Sequence, residues 1–355
     1  MKRQEILQAI QSLHDFFIAL GKNEFDQTKA NRFTQREFEE FSLIIQQQKN
    51  HNGWFTEKSV RKSLLELGKM ISTENIQTWI SDYSFTENPK RILIIMAGNL
   101  PLVGFHDLLC VLVSGNHACV KLSSEDKILL PKFLDWLTKM HPKLNEVISI
   151  EFGLVKNIEA VIATGSDNAN LHFEKYFGHV PRLFRNNRTS IAVIKGNETP
   201  EELNLLGLDI FNYFGKGCRN VSFLLIPVDF NLNLFFEAIV PYGEVINNKK
   251  YGNNYDYNRA IHLLNQENVL DNNFVLLKET NQLFSPVSMI HYYRYTSTNE
   301  LNSILESNKE KIQVIIGNDY IPFGNSQSPA LTDYADGINT LEWLENLSNN
   351  SNMTY

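Results

Sequence analysis

The sequence has little cysteine, no long run of apolar residues and no cluster of positive charge. Three cysteines among 355 residues exclude a disulfide framework and indicate a reducing compartment, for which we expect the cytoplasm. A net charge of -7 without a basic run argues against a nucleic-acid partner. No stretch reaches membrane-spanning length, and the apolar residues of Met1–Leu20 recur at helical spacing, unlike the unbroken core of a signal peptide.

Two further absences concern binding sites. The Gly-x-Gly-x-x-Gly signature is missing, so any dinucleotide is held by a different arrangement. The nine histidines are scattered, and no His, Cys or carboxylate group has the spacing of metal ligands, so we expect no metal site.

What the chain does contain is the pattern of an α/β protein, 43% hydrophobic and 21% charged. Residues 1–83 are predicted to be helical and polar-rich. From "RILIIMAGN" to "TSIAVIKG", short apolar strands alternate with helices, which predicts a doubly wound parallel sheet over residues 84–196. A second α/β domain is expected over 197–325 and a C-terminal segment over 326–355. Between its strands, "NNKKYGNNYDYN" is predicted to be a surface loop.

The three cysteines have different settings. Cys110 and Cys119 have apolar neighbours, which is typical of buried structural cysteine. Cys218 lies in "FGKGCRN", where glycines free the backbone to approach a substrate and two cations favour the reactive thiolate. The competing interpretation is a thiol that merely follows the end of a helix.

Two further stretches follow predicted strands. Asn99 is a good turn residue before Pro101, and its amide could also stabilise an oxyanion formed when a thiolate attacks a carbonyl. Thr164-Gly165-Ser166 suits a phosphate at a helix N-terminus and suits simple N-capping equally well. His106, in the first turn of an apolar helix, is interpreted as structural and not as a proton donor.

Taken together, four stretches resemble the aldehyde dehydrogenase superfamily, and more closely its branch of acyl-CoA reductases related to the bacterial luminescence fatty acid reductase, LuxC. They are "NLPLVGFHDLLCVLVSGNHACVKLSSED", "VIATGSDNANLHFEKYF", "YFGKGCRNVSFLLIP" and "IPFGNSQSPALTDYADGINTLEWL". With "NGWFTEKSVRKSLLELG", they spread the resemblance over nearly the whole chain from about Asn52. It implies an aldehyde dehydrogenase-like fold, with a Rossmann-type cofactor domain and an α/β catalytic domain after the helical N-terminal region.

The resemblance also implies roles for individual residues. Cys218 matches the nucleophile, and Asn99 matches the asparagine that stabilises the oxyanion. The implied cofactor-binding residues are Lys121, Ser123 and Ser124 on the adenosine side, Thr164, Gly165 and Ser166 near the pyrophosphate, and Gln282 at a ribose.

Three departures from the family pattern refine this expectation. No carboxylate stands between Pro181 and Gly196, where hydrolytic members carry the base that activates water. Ser124 replaces a glutamate that binds the adenosine ribose, which favours NADP(H) over NAD(H), although Glu125 follows directly. Gln282 also replaces a glutamate and binds a ribose more weakly than a carboxylate does.

The implied activity is the NADPH-dependent reduction of an acyl thioester, above all a fatty acyl-CoA, to an aldehyde through a thioester on Cys218. The expected partners are acyl-CoA or an acyl carrier, further copies of the chain in a homo-oligomer, and an acyl-activating protein. Two alternatives stay open: a cysteine-dependent acyl transferase or acyl carrier without redox activity, and a non-catalytic scaffold of an acyl-processing complex.

Overall fold

The computed structural model of the chain describes residues 1–29, 32–153, 155–165 and 167–349. The chain forms two compact units. The first comprises Met1–Asn187 and the chain from Pro329 onward, and the second is Arg188–Ser328. The sequence predicts boundaries after residues 196 and 325, whereas the chain passes between the two units after Asn187 and after Ser328.

The first unit opens with four helices: α1 (Arg3–Lys22), α2 (Gln35–Gln47), α3 (Glu57–Met70) and α4 (Thr73–Ile80). Three of these helices are capped at their N-termini by the hydroxyl groups of Thr34, Thr56 and Ser72. Each hydroxyl accepts a hydrogen bond from the backbone N–H three residues later. The predicted helical N-terminal region is therefore confirmed. Of the apolar residues predicted to share one face of α1, Leu7 is half-buried and the other five are buried: Ile6, Ile10, Leu13, Phe17 and Leu20.

A five-stranded parallel sheet follows, with helices in its connections. Its strands are β1 (Arg91–Ile95), β2 (His117–Lys121), β3 (Ile148–Ile150), β4 (Ala160–Thr164) and β5 (Arg182–Arg185), and the helices are α5 (Phe105–Val113), α6 (Leu129–Met140) and α7 (Asp167–Phe177). The strand order is β3-β2-β1-β4-β5, so the predicted doubly wound sheet is confirmed. The order reverses between β1 and β4, and such a switch point is where open α/β sheets bind ligands.

The second unit is also an α/β structure. Its elements are β6 (Thr189–Val193), α8 (Pro200–Phe211), β7 (Val221–Pro227), α9 (Leu232–Ile239), α10 (Lys249–Leu264), β8 (Leu270–Asp271), β9 (Leu276–Glu279), β10 (Met289–Tyr295), α11 (Thr298–Asn308) and β11 (Ile312–Ile316). They form a sheet of order β11-β6-β7-β10-β9-β8, parallel except for the pair of β8 with β9. Its core packs apolar residues of β7 and β10 against α8 and α9, among them Leu224, Ile290, Leu206 and Phe235.

Two predictions about individual elements are wrong. The stretch "NNKKYGNNYDYN", expected to be a surface loop, forms most of α10: Asn248 caps the helix, and Tyr251, Tyr255 and Asn258 are buried at helical spacing. Strand β6 was expected to end the first sheet, but it pairs with β7 and β11 in the second. The first sheet ends instead with β5, a four-residue strand with two arginines whose composition gives little strand signal.

After Pro329 the chain returns to the first unit and forms α12 (Thr340–Asn349). Leu341 and Leu344 of this helix are buried. Arg185 at the end of β5 is 2% exposed, and its guanidinium donates to Asp107 Oδ1 at 2.8 Å, Thr340 Oγ1 at 2.7 Å and Ala335 O at 2.8 Å. This buried arginine attaches the returning segment to the sheet.

Candidate functional site

Three of the predicted site segments lie at one edge of the first sheet. Lys121 ends β2, Thr164 ends β4, and Asn99 lies shortly after β1. The strands are in register there, because Ile95 at the end of β1 pairs with both Lys121 and Ala163. The carboxyl ends of β1 and β4 form the switch point of the sheet, so these residues surround the position at which such folds hold a ligand.

The turn that carries Asn99 is held by residues outside it. Asn99 is half-buried. Leu102 adopts a left-handed backbone with φ of 58°, and its N–H donates to the carboxylate of Asp126 at 3.0 Å. The hydroxyl of Ser63 donates to the carbonyl oxygen of Pro101 at 2.7 Å. Helix α3 and the segment after β2 therefore determine where the asparagine turn lies.

Gly98 allows the segment after β2 to lie close to this turn. A Cβ atom at Gly98 would lie 2.5 Å from Ser123 Oγ and 2.7 Å from Glu125 Cβ, so no larger residue fits without a shift. Ser123 Oγ also accepts from Glu125 N at 3.2 Å. Two predicted cofactor-binding residues, Ser123 and Ser124, thus belong to a segment packed against the asparagine turn, and the side chains of Ser124 and Glu125 are exposed.

Lys121 brings a positive charge to the same edge. Its side chain is half-buried, and Nζ donates to the carbonyl oxygen of Gly153, beyond β3, at 3.0 Å. An ammonium group has three donors, and this contact uses one of them. The lysine can therefore bind a phosphate while it keeps its contact with Gly153.

The Thr164-Gly165-Ser166 turn is described only in part. Thr164 ends β4, and Gly165 follows it before α7. A Cβ atom at Gly165 would lie 2.9 Å from Ala169 Cβ and 3.0 Å from Phe173, so the glycine is needed where α7 packs on the strand end. Ser166 lies outside the described residues.

Cys218 lies in the second unit, on a tight turn between α8 and β7. Asn220 N–H donates to the carbonyl oxygen of Gly217 at 2.9 Å, which closes the turn around Cys218 and Arg219. The cysteine is exposed. The preceding Tyr213 and Phe214 have left-handed backbones, with φ of 53° and 59°, a conformation that non-glycine residues keep only where their surroundings impose it.

Helix α8 and the segment after β11 surround this turn. The buried carboxylate of Asp209 accepts from Gly324 N at 2.6 Å and from Ser326 N at 2.9 Å. Arg219, next to the cysteine, donates from Nε to the carbonyl oxygen of Ser326 at 2.5 Å. The cysteine turn and the Gly324–Ser326 segment are thereby connected.

The other two cysteines are unsuited to nucleophilic attack. Cys110 and Cys119 are buried, and burial raises the pKa of both thiols. Their thiols therefore stay protonated, as expected for structural cysteines.

His106 has structural partners. Its Nε2 donates to Leu331 O at 2.9 Å, and its ring lies 5.5 Å from the rings of both Trp79 and Tyr334. These contacts agree with the structural interpretation of this histidine.

Gln282 lies between β9 and β10 in the chain and near the start of β7 in space. Its side chain is exposed, and its carbonyl oxygen accepts from His291 Nδ1 at 2.8 Å. The next residue, Leu283, accepts through its carbonyl oxygen from Ser222 Oγ at 3.3 Å. Gln282 therefore lies beside β7, the strand that follows the cysteine turn.

The predicted residues are thus divided between the two units: Asn99, Lys121, Ser123, Ser124, Thr164 and Gly165 lie in the first, and Cys218 and Gln282 lie in the second. Sequence reasoning missed the residues that hold these groups in place. Asp126 holds Leu102, and burial raises the pKa of its carboxyl group. Buried Asn52 donates to Glu125 O at 3.2 Å. Only the position of Asn52 in the quoted "NGWF" stretch could have drawn attention to it.

Among the helices that the structure describes, none combines the length and the apolar character needed to cross a membrane. In the same residues, no three His, Cys, Asp or Glu side chains gather as metal ligands would.

Comparison with known proteins gives a family and a fold. The sequence model described as acyl-CoA reductase (LuxC) matches residues 1–179. No curated protein matches the chain.

Solved structures of aldehyde dehydrogenases are similar to the chain. The NAD-dependent aldehyde dehydrogenase from Sinorhizobium meliloti superposes with a TM-score of 0.65 at 10% identity, over 89% of this chain and 70% of that one. The acetylating aldehyde dehydrogenase from Geobacillus thermoglucosidasius gives 0.58 at 10% identity, over 89% and 76%.

A third similar structure is the glyceraldehyde-3-phosphate dehydrogenase GapN from Methanocaldococcus jannaschii, complexed with NADP. Its TM-score is 0.57 at 12% identity, over 86% of this chain and 79% of that one. At such identities the similarity establishes the fold alone, and it confirms the predicted aldehyde dehydrogenase-like architecture.

Proposed function

The chain belongs to the acyl-CoA reductase (LuxC) family and is an aldehyde-forming oxidoreductase, and we propose that it reduces an acyl thioester through a thioester intermediate on Cys218. The observation that carries this proposal is the setting of Cys218. It is the one exposed cysteine of the three, on a tight turn after a left-handed segment, with Lys216 and Arg219 as neighbours. Positive charge beside an accessible thiol favours the nucleophilic thiolate.

The first unit fits a dinucleotide. The edge at the switch point offers the ammonium of Lys121, the hydroxyls of Ser123, Ser124 and Thr164, and the close backbone approach that Gly98 permits. We propose that these residues hold a nicotinamide cofactor, and the family resemblance assigns Gln282 to one of its riboses. When bound, the cofactor supplies the hydride for reduction of the acyl carbon.

NADP(H) is the proposed form of the cofactor. A 2′-phosphate gains from the positive charge of Lys121 and meets no carboxylate at Ser124. Glu125 is exposed one residue further on, and its carboxylate is the group that would favour NAD(H) instead.

The proposed chemistry of the protein begins with the thiolate. Cys218 Sγ attacks the thioester carbonyl; a bond from Sγ to the acyl carbon forms, and the carbon–sulfur bond to the leaving thiol breaks. The N–H of Cys218 donates to the oxyanion, and the family resemblance assigns the side-chain amide of Asn99 to the same role. After the acyl carbon is reduced, the same donors hold the second oxyanion, whose collapse breaks the bond to Sγ and releases the aldehyde.

The missing carboxylate supports reduction over hydrolysis. Between Pro181 and Gly196 the chain has no acidic residue, so no side chain of this segment can activate water against the acyl-enzyme. Reduction or transfer is then the expected fate of an acyl group on Cys218. The proposed thiol chemistry also requires a reducing compartment, for which we propose the cytoplasm.

The test uses purified protein with a long-chain acyl-CoA and NADPH, and in parallel NADH. We expect loss of reduced nicotinamide absorbance with equimolar aldehyde, faster with NADPH, and none with Cys218→Ala. Without nicotinamide, intact mass spectrometry should show one acyl group on the wild type and none on Cys218→Ala. Cys110→Ala is the matched control and should keep both signals, because that thiol is buried.

Three outcomes would contradict the proposal. Aldehyde formation by Cys218→Ala excludes the thioester intermediate. Acylation of Cys218 without oxidation of either nicotinamide indicates an acyl transferase or carrier. A folded protein that shows neither reaction with any acyl thioester indicates a scaffold.

A further inference from the structure

The turn that carries Cys218 is held by the side chain of Asn220, which is 1% exposed. Its Oδ1 accepts from Gly217 N at 2.8 Å, and its own backbone N–H closes the turn onto the carbonyl oxygen of Gly217 at 2.9 Å. One residue therefore binds both backbone polar groups of Gly217, immediately before the cysteine.

The other end of the Asn220 side chain binds the end of α8. Nδ2 lies 2.9 Å from the carbonyl oxygen of Asp209, 2.8 Å from that of Asn212 and 3.3 Å from that of Ile210. Carbonyl groups at a helix C-terminus lack partners within the helix, and here one buried amide group faces three of them. Asn220 thus connects the cysteine turn rigidly to α8.

This geometry determines where the N–H of Cys218 points. The peptide between Gly217 and Cys218 is planar, so its N–H and C=O point in opposite directions. Since the carbonyl oxygen of Gly217 faces Asn220 N–H, the N–H of Cys218 is directed away from Asn220. The peptide after the cysteine is held too, because the hydroxyl of buried Ser190 donates to the carbonyl oxygen of Cys218 at 2.8 Å.

Ser190 lies at an irregular point of the sheet. The pairing of β6 with β7 shifts by one residue between Ser190 and Ile191, which leaves Ser222 as an extra residue on β7. Bulges of this kind redirect side chains and are common beside active sites. The irregular pairing occurs where Ser190 reaches the peptide that follows the cysteine.

We propose that Asn220 is a positioning residue, which fixes the Cys218 thiol and the Cys218 N–H donor in the orientation needed for attack on the acyl carbonyl. This inference rests on the proposed function of Cys218. Asn220 itself does not touch the substrate; it acts through the turn and through the end of α8. The effect of its loss therefore appears in the rate of acylation and not in the binding of acyl-CoA.

The test compares Asn220→Ala with the wild-type protein in single-turnover acylation, followed by release of the CoA thiol. Misplacement of a reacting group by about 1 Å can slow a reaction by roughly 100-fold, and we expect a loss of that order in the acylation rate constant. KM for acyl-CoA should be unchanged. Asn220→Asp has the same volume but turns a carboxylate toward the three carbonyl oxygens, so it should also slow acylation. If Asn220→Ala does not fold, Asn220→Asp is the variant to measure.

The matched control is Asn258→Ala. Asn258 is also buried in the second unit, and its Nδ2 donates to the carbonyl oxygen of Val287, between β9 and β10, at 2.9 Å. It should lower the melting temperature and leave the acylation rate unchanged. Equal slowing by Asn220→Ala and Asn258→Ala would overturn the proposal, and so would normal acylation by folded Asn220 variants. Failure of the proposed function is distinct, because then the wild-type protein itself acquires no acyl group on Cys218.

Discussion

The ammonium nitrogen of Lys121 lies 3.0 Å from the carbonyl oxygen of Gly153. Lys121 ends β2, whereas Gly153 follows β3, so the contact joins the carboxyl ends of two neighbouring strands. It holds the charge at the edge of the sheet where the proposed cofactor binds. Replacement of the lysine therefore tests the cofactor site without touching the cysteine.

We expect Lys121→Ala to weaken the use of NADPH more than that of NADH. A hydrogen bond to a charged group contributes about 1.5–3 kcal/mol, so kcat/KM for NADPH should fall by roughly 10- to 100-fold. Steady-state kinetics with both cofactors measures this. Lys127→Ala removes an exposed lysine from the same segment and should change neither value. An equal loss with both cofactors would contradict a specific role at the 2′-phosphate.

Ser124→Glu restores the carboxylate that the family often has at this position. Its negative charge should repel a 2′-phosphate and accept hydrogen bonds from a free ribose hydroxyl, which shifts the preference from NADPH toward NADH. The ratio of the two kcat/KM values is the measurement. Ser124→Gln has the same length without the charge and should shift the ratio less. If both variants keep the wild-type ratio, Ser124 does not face the adenosine ribose.

Asn99→Ala should lower kcat and leave the binding of both substrates unchanged. Removal of one oxyanion donor typically costs about 100- to 1,000-fold in kcat. Asn88→Ala is the matched control, because Asn88 is an exposed asparagine before β1, at the opposite end of the strand. Rapid-quench measurement of acylation distinguishes the roles: if acylation is normal and only KM rises, Asn99 binds the substrate and does not stabilise an oxyanion.

His106 should make the first unit sensitive to acid. Burial lowers the pKa of His106 below its ordinary value of 6.5. Below that value the unfolded chain binds a proton that the folded chain does not, so the free energy of unfolding decreases as pH falls through 6.5. In His106→Gln, whose amide can still donate to Leu331 O, this decrease should be smaller. Denaturant unfolding at about pH 7 and about pH 5 measures the difference. Parallel decreases in both proteins would show that His106 contributes nothing.

Much of the fold could be predicted from local patterns. The apolar runs of β1, β2, β4 and β7 predict these strands, because strands covered on both faces contain few polar residues. The pattern misled where composition conflicted with packing: α10 is rich in asparagine and tyrosine, yet its buried face is formed by Tyr251, Tyr255 and Asn258. The sequence pattern also could not predict to which sheet β6 belongs, because strand pairing joins segments that are far apart in the sequence.

For the candidate site, local sequence pattern predicts the roles of Cys218 with its glycines and cations and of Asn99 after a strand, and the family resemblance adds Lys121. The apolar neighbours of Cys110 and Cys119 predict that both are buried, and the structure confirms this. The folded chain alone shows that Asn220 and Ser190 hold the cysteine turn and that Asp126 holds the asparagine turn. The physical reason is that burial and hydrogen-bond partners are properties of the folded arrangement, since they join residues on different elements that no local pattern connects.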